Sequence, residues 1–370
     1  MFFNSLRTTA FRNLADAQTF TGAKDVFLVG ENGQGKTNFL EALYFCAYAS
    51  SFRSIRDSEL ARNGENDFCA EVKLSQSVND QILVKVENGK KTILINGKHA
   101  EDRRELLSIA PSIVFCHEDM EFVSGSPERR RWFFDQTLSL YDPVYLEDLR
   151  RYRRVLKSRN TVLRNYALGK LSENPQPILD ALDPQFAMYG LKLMEKREKA
   201  AQEFTDVFEK LYKEVSGISG ITVRYIQSWK NPQPCELLSD HIVERLSQRR
   251  GADIAASSSL SGPHRDKYQF AHNGEDFTSK ASTGQRRLLA LLLRAAQALR
   301  YSAETRQLPI LLLDDVLLEM DGEKRKRFLS VLPAYDQSFY TFLPEEPYQR
   351  YQKEDTLVYN VKDGVLGKTL

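Results

Sequence analysis

The chain has 370 residues, long enough for a large core and two lobes, and its 52 basic and 50 acidic residues leave a formal net charge of +2. That excludes a polycation, so any affinity for nucleic acid must come from local patches. No window approaches the roughly 18 apolar residues of a membrane span. Arg7 and Arg12 interrupt the N-terminal apolar run, which is unlike a signal peptide, so the expectation is a soluble, intracellular protein without membrane contact.

In chain order, DVFLV (25–29) reads as a short buried strand and Thr37 to Tyr48 as the helix that follows a glycine-rich loop. That loop, GENGQGKT, fits G-x-x-x-x-G-K-[ST] with Gly30, Gly35, Lys36 and Thr37. The glycines allow backbone N–H groups to wrap a β-phosphate. Lys36 can reach the β- and γ-oxygens, and the Thr37 hydroxyl can ligate Mg²⁺. Period-two alternation follows through Phe68–Leu74, Ile82–Val86 and Ile93–Ile95, separated by turn residues, and predicts an antiparallel meander. SIVFC (112–116) is a further strand. The four cysteines (Cys46, Cys69, Cys116, Cys235) lack zinc or disulfide spacing and read as reduced thiols.

From about 127 to 215 apolar residues recur at helical spacing, with Pro175, Pro177 and Pro184 marking a break between two long helices. Strand-like ITVRYI (221–226) and a polar stretch to about 259 lead out of this insertion. LSGPHRDKY (260–268) is a tight polar turn in which His264, like His117, reads as a hydrogen-bonding residue. STGQRR (282–287) then opens a long apolar helix. The all-apolar LPILLL suits a central strand and ends in Asp314 and Asp315, and SFYTFL (338–343) reads as the last strand. The expected domains are an ATPase lobe, 1–120 plus 258–370, and an inserted helical lobe, 121–257.

A carboxylate at the end of LLLDD can hold Mg²⁺ through water and a second can orient an attacking water, although Asp also suits a strand-end turn or helix cap. Ser282 and Gly284 at a helix start make either an anion site or an ordinary capped end. If the former, and unless it meets Lys36 within one molecule, it should meet the nucleotide of another molecule. Between Arg150 and Arg164 lie seven basic residues and no acidic one (Arg150, Arg151, Arg153, Arg154, Lys157, Arg159, Arg164), with a second cluster at Arg129, Arg130 and Arg131. Such a run can neutralise phosphates in salt-sensitive, sequence-indifferent binding, or pair with neighbours such as Glu147 and Asp148. Tyr152 and Trp132 serve equally as core or as stacking platforms.

The order strand–GxNGxGKT–helix, S-x-GQ helix and DD strand end, around a helical insertion, resembles the ABC-type ATPase heads of the SMC class. FRNL (11–14), GENGQGKTNFLEAL (30–43), SFR (51–53), GSPERRRWFFD (125–135), SGPHRD (261–266), STGQRR (282–287) and LLLDDVLLEMD (311–321) resemble, more closely and almost end to end, the RecF family of bacterial recombination mediators. The resemblance implies an α/β fold: an ABC-type P-loop ATPase lobe, with a mixed sheet and antiparallel meander, carrying an inserted helical second lobe. It implies ATP and Mg²⁺ as cofactors, with ATP sandwiched in an ATP-dependent homodimer. Gly30, Glu31, Asn32, Gly33, Gln34, Gly35, Lys36 and Thr37 would hold ATP in cis, with Arg12 near its base and Mg²⁺ on Thr37 and Asp314. Ser282, Gly284 and Gln285 would reach the γ-phosphate in trans, with Asp321 in the loop facing the partner nucleotide. Asp315, with Lys36, would be catalytic.

Asp315 stands where larger ABC proteins use Glu, so slow turnover is expected. DNA contacts would come from Arg129, Arg130, Arg150, Arg151, Arg154 and Lys157, on duplex, gapped or single/double-strand junction DNA. RecO and RecR are implied partners in loading RecA, and the nucleoid of the cytoplasm the implied location. His117, Lys267, Leu318 and the lone Thr341 depart from the family pattern and alter the loop expected to face a second protomer. An ATP-binding scaffold with negligible turnover and a P-loop small-molecule kinase are the alternatives.

Overall fold

A computed structural model describes residues 2–54, 56–75, 80–102, 104–171, 174–230, 238–317, 320 and 322–369. The chain divides into two compact units, Met1–Asp119 with Ala290–Leu370, and Met120–Leu289.

The first unit begins with β1 (Phe2–Thr9) and β2 (Gln18–Phe20), then β3 (Asp25–Val29) and α1 (Lys36–Tyr48). The predicted meander follows as β4 (Phe68–Ser75), β5 (Gln81–Glu87) and β6 (Lys90–Ile95), with a short β7 (Lys98–His99). Its alternation is real: Phe68, Ala70, Val72 and Leu74 are buried while their neighbours face outward. These strands form an all-antiparallel sheet in the order β2-β1-β4-β5-β6-β7. β1, which the sequence reading left unassigned, pairs with β4 across a register shift between Phe3 and Ser5. After α2 (Arg104–Ile109) comes β8 (Ser112–Phe115), an edge strand of a second sheet. α1 is buried on nearly every face because it touches β1, β4 and β5 of one sheet and β8 and β13 (below) of the other.

The second unit holds α3 (Glu121–Ser124), α4 (Pro127–Tyr141), α5 (Pro143–Ala167), α6 (Gln176–Ser216), β9 (Ile221–Ile226), α7 (Leu238–Gln248), α8 (Arg250–Ala255), β10 (Lys267–His272), β11 (Glu275–Asp276) and α9 (Phe277–Lys280). The predicted break between two long helices falls after Ala167, where Pro175 precedes α6 and Pro177 sits in its first turn, but Pro184 is no part of it: α6 runs through that residue. Proline removes one helical hydrogen bond, but Leu179, Phe186, Ala187 and Leu193 around it are all buried, and this packing keeps the helix continuous. The polar stretch before 259 contains α7 and α8, and Ile242 and Leu246 of α7 join the core of α5 and α6. Residues 258–289 belong to this unit rather than to the ATPase lobe, since β10 is the antiparallel partner of β9 along its whole length. The second boundary is therefore 289/290, not 257/258.

α10 (Thr283–Thr305) leads back into the first unit, which ends with β12 (Ile310–Leu313), α11 (Gly322–Ser330), β13 (Gln337–Phe342), β14 (Leu357–Lys362) and β15 (Val365–Lys368). The second sheet has the order β15-β14-β3-β13-β12-β8, parallel except for β15. β13 is not the last strand; β14 and β15 extend the sheet beyond β3. Cys46 and Cys116 are buried free thiols and Cys69 a half-buried one; Cys235 lies outside the described residues. Among the described residues no helix is long and apolar enough to cross a membrane.

Candidate functional site

β3 ends at Val29, and the chain turns into α1 through a loop that tolerates few side chains. A Cβ at Gly30 would lie 2.3 Å from the Val361 carbonyl oxygen of β14. Gly35 caps α1 at φ +114°, a left-handed conformation that favours glycine. Gln34 anchors the loop: its carbonyl accepts from Gly364 N–H (2.9 Å) and its Oε1 from Asp363 N–H (2.6 Å). Glu31, Asn32 and Gly33 are exposed. Lys36 Nζ donates to the carbonyls of Gly30 (2.5 Å) and Glu31 (3.1 Å), folded back over the loop. The loop, Asn38, Arg53 and Asp315 line a cavity of about 280 Å³.

The two halves of this site are far apart in sequence and are joined by strand register. β13 lies between β3 and β12, with Tyr340 opposite both Phe27 and Leu313. The next residue, Thr341, therefore faces the end of β12, where the carboxylates begin. Asp315 N–H donates to Thr341 Oγ1 (2.7 Å), and that hydroxyl lies 2.9 Å from Asp315 Oδ1 and 3.3 Å from Asp314 Oδ1. From the other side the Thr37 hydroxyl donates to Asp314 Oδ1 at 2.8 Å. Asp315 holds φ +51°, which turns the chain sharply at the strand end.

Burial, and then the Asp315 charge, push the Asp314 carboxyl up to about 7. A buried carboxylate in that condition fits a divalent cation, which would supply the missing positive charge. Among the described residues no group of three or more His, Cys, Asp or Glu could cage a metal. The oxygen set offered by Thr37 and Asp314 suits Mg²⁺, which takes one or two carboxylates and completes its shell with phosphates and water.

Behind the loop, Glu41 is fully buried and accepts from Arg12 Nε (3.0 Å) and Nη2 (3.1 Å) and from Arg53 Nη2 (2.5 Å). Burial pushes Glu41 up, but hydrogen bonds from Arg12, Arg53 and Ser51, with the charge of Arg53, outweigh it and hold the group below its ordinary range. Arg12 is thus committed to Glu41 and to the Ser54 hydroxyl. Arg53, in the SFR stretch, and Thr341 were not assigned site roles from sequence; only the strand register and the packing of Glu41 reveal them.

Ser282 and Gln285 form a reciprocal capping box: Gln285 N–H donates to Ser282 Oγ (3.2 Å) and Ser282 N–H to Gln285 Oε1 (2.8 Å). Both lie in the second unit, as does Gly284, which is exposed with open space around its Cα. Leu318 and Asp321 lie outside the described residues.

The basic run divides. Arg129, Arg154 and Lys157 are exposed and Arg150 is half-buried. Arg151 pairs with Glu147 at 2.9 Å, the sequence alternative of surface pairing. Arg130 is turned inward, donating to the carbonyls of Val123 (2.9 Å) and Tyr268 (3.2 Å), which removes it from the free face. Arg159 is fully buried on Asp183 (2.8 Å) and Asp253 (2.7 Å). It is a core residue, because the apolar face of α5 turns it toward α6 and α8. His264 Nδ1 lies 2.7 Å from the Tyr152 hydroxyl oxygen, and its Nε2 donates to the Ser259 carbonyl (3.0 Å). Burial, with nearby arginines adding, pushes it down to about 4.

A histidine with a lowered folded pKa takes up its proton in the unfolded chain first. The stability it protects is present above about pH 6.5 and is lost as pH falls toward 4. His264→Gln is expected to flatten that acid limb, which amounts to at most about 3 kcal/mol. Urea midpoints measured at half-unit pH steps check the slope; an unchanged slope in the variant counts against it.

The RecF/RecN/SMC N terminal domain family matches residues 2–364. The chain is similar to the DNA replication and repair protein RecF of Treponema pallidum (strain Nichols), with 43% identity over 356 residues, 96% of this chain and 97% of that one. It aligns with the solved structure of the recombination mediator protein RecF-ATP in the RecFOR pathway at a TM-score of 0.87 and 28% identity, over 99% of this chain and 97% of that one. An SMC head aligns at a TM-score of 0.55 and 16% identity, over 100% of this chain and 97% of that one, a likeness of fold alone. The fold is that of an ABC-type ATPase head.

Proposed function

The chain belongs to the RecF family, and on that premise we propose that it is an ATP-dependent DNA-binding protein of replication and recombinational repair. ATP and Mg²⁺ occupy the loop from Gly30 to Thr37, with Lys36 on the phosphates and Thr37 and Asp314 toward the metal. The carrying observation is the Thr37–Asp314 hydrogen bond, which ties phosphate loop to carboxylates across 277 residues of sequence. Asp315 orients the attacking water. Ser282, Gly284 and Gln285 meet the γ-phosphate bound by a second copy, and Gly284, which its own fold does not require to be glycine, suits close approach by that ligand. The ATP-bound homodimer clamps duplex or gapped DNA and slow hydrolysis releases it, a switch rather than a motor. It acts in the cytoplasm on the nucleoid, with RecO and RecR as partners in loading RecA.

Exposed Arg129, Arg154 and Lys157, with Arg150, supply the phosphate contacts. Binding of a fluorescent gapped duplex, read by anisotropy with ATP–Mg²⁺, should weaken about 40-fold between 50 and 200 mM salt if about three phosphates are neutralised. Arg154→Glu with Lys157→Glu should weaken binding about tenfold or more and flatten that dependence. Absence of DNA binding with or without ATP would favour a P-loop kinase.

A further inference from the structure

α4, α5 and the turn at Pro263–Arg265 enclose a cavity of about 400 Å³ that lies wholly within the second unit. That volume is in the range of small-ligand pockets, about 300–1,000 Å³. Its walls carry four arginines (Arg131, Arg153, Arg197, Arg265) against two carboxylates, Glu128 and Asp135, with His264 neutral.

The cations differ in what they are already doing. Arg197 is spent, donating from Nη2 to both Asp135 carboxylate oxygens (2.8 and 3.0 Å) and from Nη1 to the Pro263 carbonyl (2.7 Å). Asp135 is spent with it, also accepting from the Tyr145 hydroxyl at 2.5 Å. Arg131 is buried but donates to one backbone carbonyl, that of Asp266 (2.6 Å), and its nearest carboxylate is the exposed Glu128 at 3.8 Å. Burial, with the Arg197 charge beside it, holds the Arg131 guanidinium below its ordinary range. Arg153 is 58% exposed and reaches Asp135 only at 3.4 Å. Among the described residues the Arg265 guanidinium donates to the Ser259 carbonyl alone, at 3.3–3.4 Å. Three weakly compensated guanidinium groups therefore converge on one opening.

Beside them stands an aromatic surface. Trp132 stacks on Phe122 (5.6 Å between centroids, 26°) yet remains 40% exposed, and Leu149 and Leu156 continue the apolar wall. Guanidinium groups suit a phosphate bidentately, and an open indole suits the face of a base.

We propose that this cavity binds a nucleotide, its phosphate on Arg131, Arg153 and Arg265 and its base against Trp132. The nucleotide is either free or the end of a DNA strand, and the latter source rests on the DNA-binding reading above. In that case the cavity captures a strand terminus or splayed nucleotide, a contact that smooth duplex does not make.

The test follows Trp132 fluorescence in the full chain carrying Lys36→Ala, which removes the phosphate loop as a competing site; Trp229, the other tryptophan, is only 4% exposed. The probes are dTMP, single-stranded oligonucleotides with 5′-phosphate or 5′-hydroxyl ends, and oligoglutamate, with DNA anisotropy recorded in the same samples and, with ATP–Mg²⁺, on the chain with Lys36 intact. Quenching is expected, absent in Trp132→Phe and about tenfold weaker in Arg153→Ala with Arg265→Ala, both exposed positions whose loss leaves the core intact. Quenching by dTMP alone assigns a free nucleotide; quenching by 5′-phosphorylated DNA assigns a strand end. No quenching by dTMP or DNA, quenching by oligoglutamate only, or quenching indifferent to the two arginines overturns the proposal. DNA binding by anisotropy without quenching overturns it while leaving the DNA-binding reading intact; no DNA binding by the chain with Lys36 intact, in the presence of ATP–Mg²⁺, removes that reading separately.

Discussion

Asp315→Asn is expected to lower ATP turnover by about 10²–10⁴-fold, the usual contribution of a positioned acid–base group, while leaving nucleotide binding nearly unchanged. The amide keeps the size of the side chain and can still accept from Thr341, whose hydroxyl lies 2.9 Å from Oδ1. What is lost is the negative charge that would draw a proton from the attacking water. Binding should survive because Lys36, Thr37 and Asp314 are untouched. Phosphate release in single turnover measures the first effect and equilibrium binding of a fluorescent ATP analogue the second.

The same variant should trap the closed dimer. Sedimented with fluorescent gapped duplex, it should carry two copies per DNA with ATP–Mg²⁺ and fewer without. One copy regardless of nucleotide would sink the sandwich mechanism and with it the trans role of Ser282. Turnover equal to wild type would move the water-orienting role away from Asp315, and negligible turnover in the wild type would favour a scaffold.

Arg159→Ala should cost about 3–5 kcal/mol, the largest stability loss among the residues of the basic run. The guanidinium is 0% exposed and bridges Asp183 and Asp253, while also donating to Ser259 Oγ (2.8 Å) and lying 5.5 Å from the Phe186 ring centroid. Asp183 retains Arg250 at 2.8 Å after the substitution, so the uncompensated charge falls mainly on Asp253. Arg154→Ala, an exposed position in the same helix, should stay within about 0.5 kcal/mol. Urea unfolding followed by far-UV circular dichroism, fitted with separate transitions for the two units, compares them. A loss below about 1 kcal/mol at Arg159 would mean that its ion pairs merely break even against their desolvation.

These two residues illustrate what could and could not be read from the linear chain. Glycine spacing, the buried runs DVFLV and LPILLL and the alternation of the meander are local signals, because backbone conformation and burial on one face depend on near neighbours. They were enough to place β3, the turn into α1, the meander, β12 and the long helices of the second unit. Local signals could not separate Arg159 from Arg154. Both are basic residues on one helix, and only the packing of α6 and α8 against α5 makes one a core ion pair and leaves the other in water. Pro184 was likewise misread as a break, since the burial that overrides its lost hydrogen bond is tertiary.

The amino-acid sequence by itself determined the chemistry available: a loop that can cradle phosphates, two adjacent carboxylates at a strand end and a run of positive charge. Tertiary structure alone decided which of these meet. Parallel pairing places β13 between β3 and β12, so Thr341 bridges two carboxylates, the first of which lies 277 residues from Thr37, and register over such a separation has no local sequence signature.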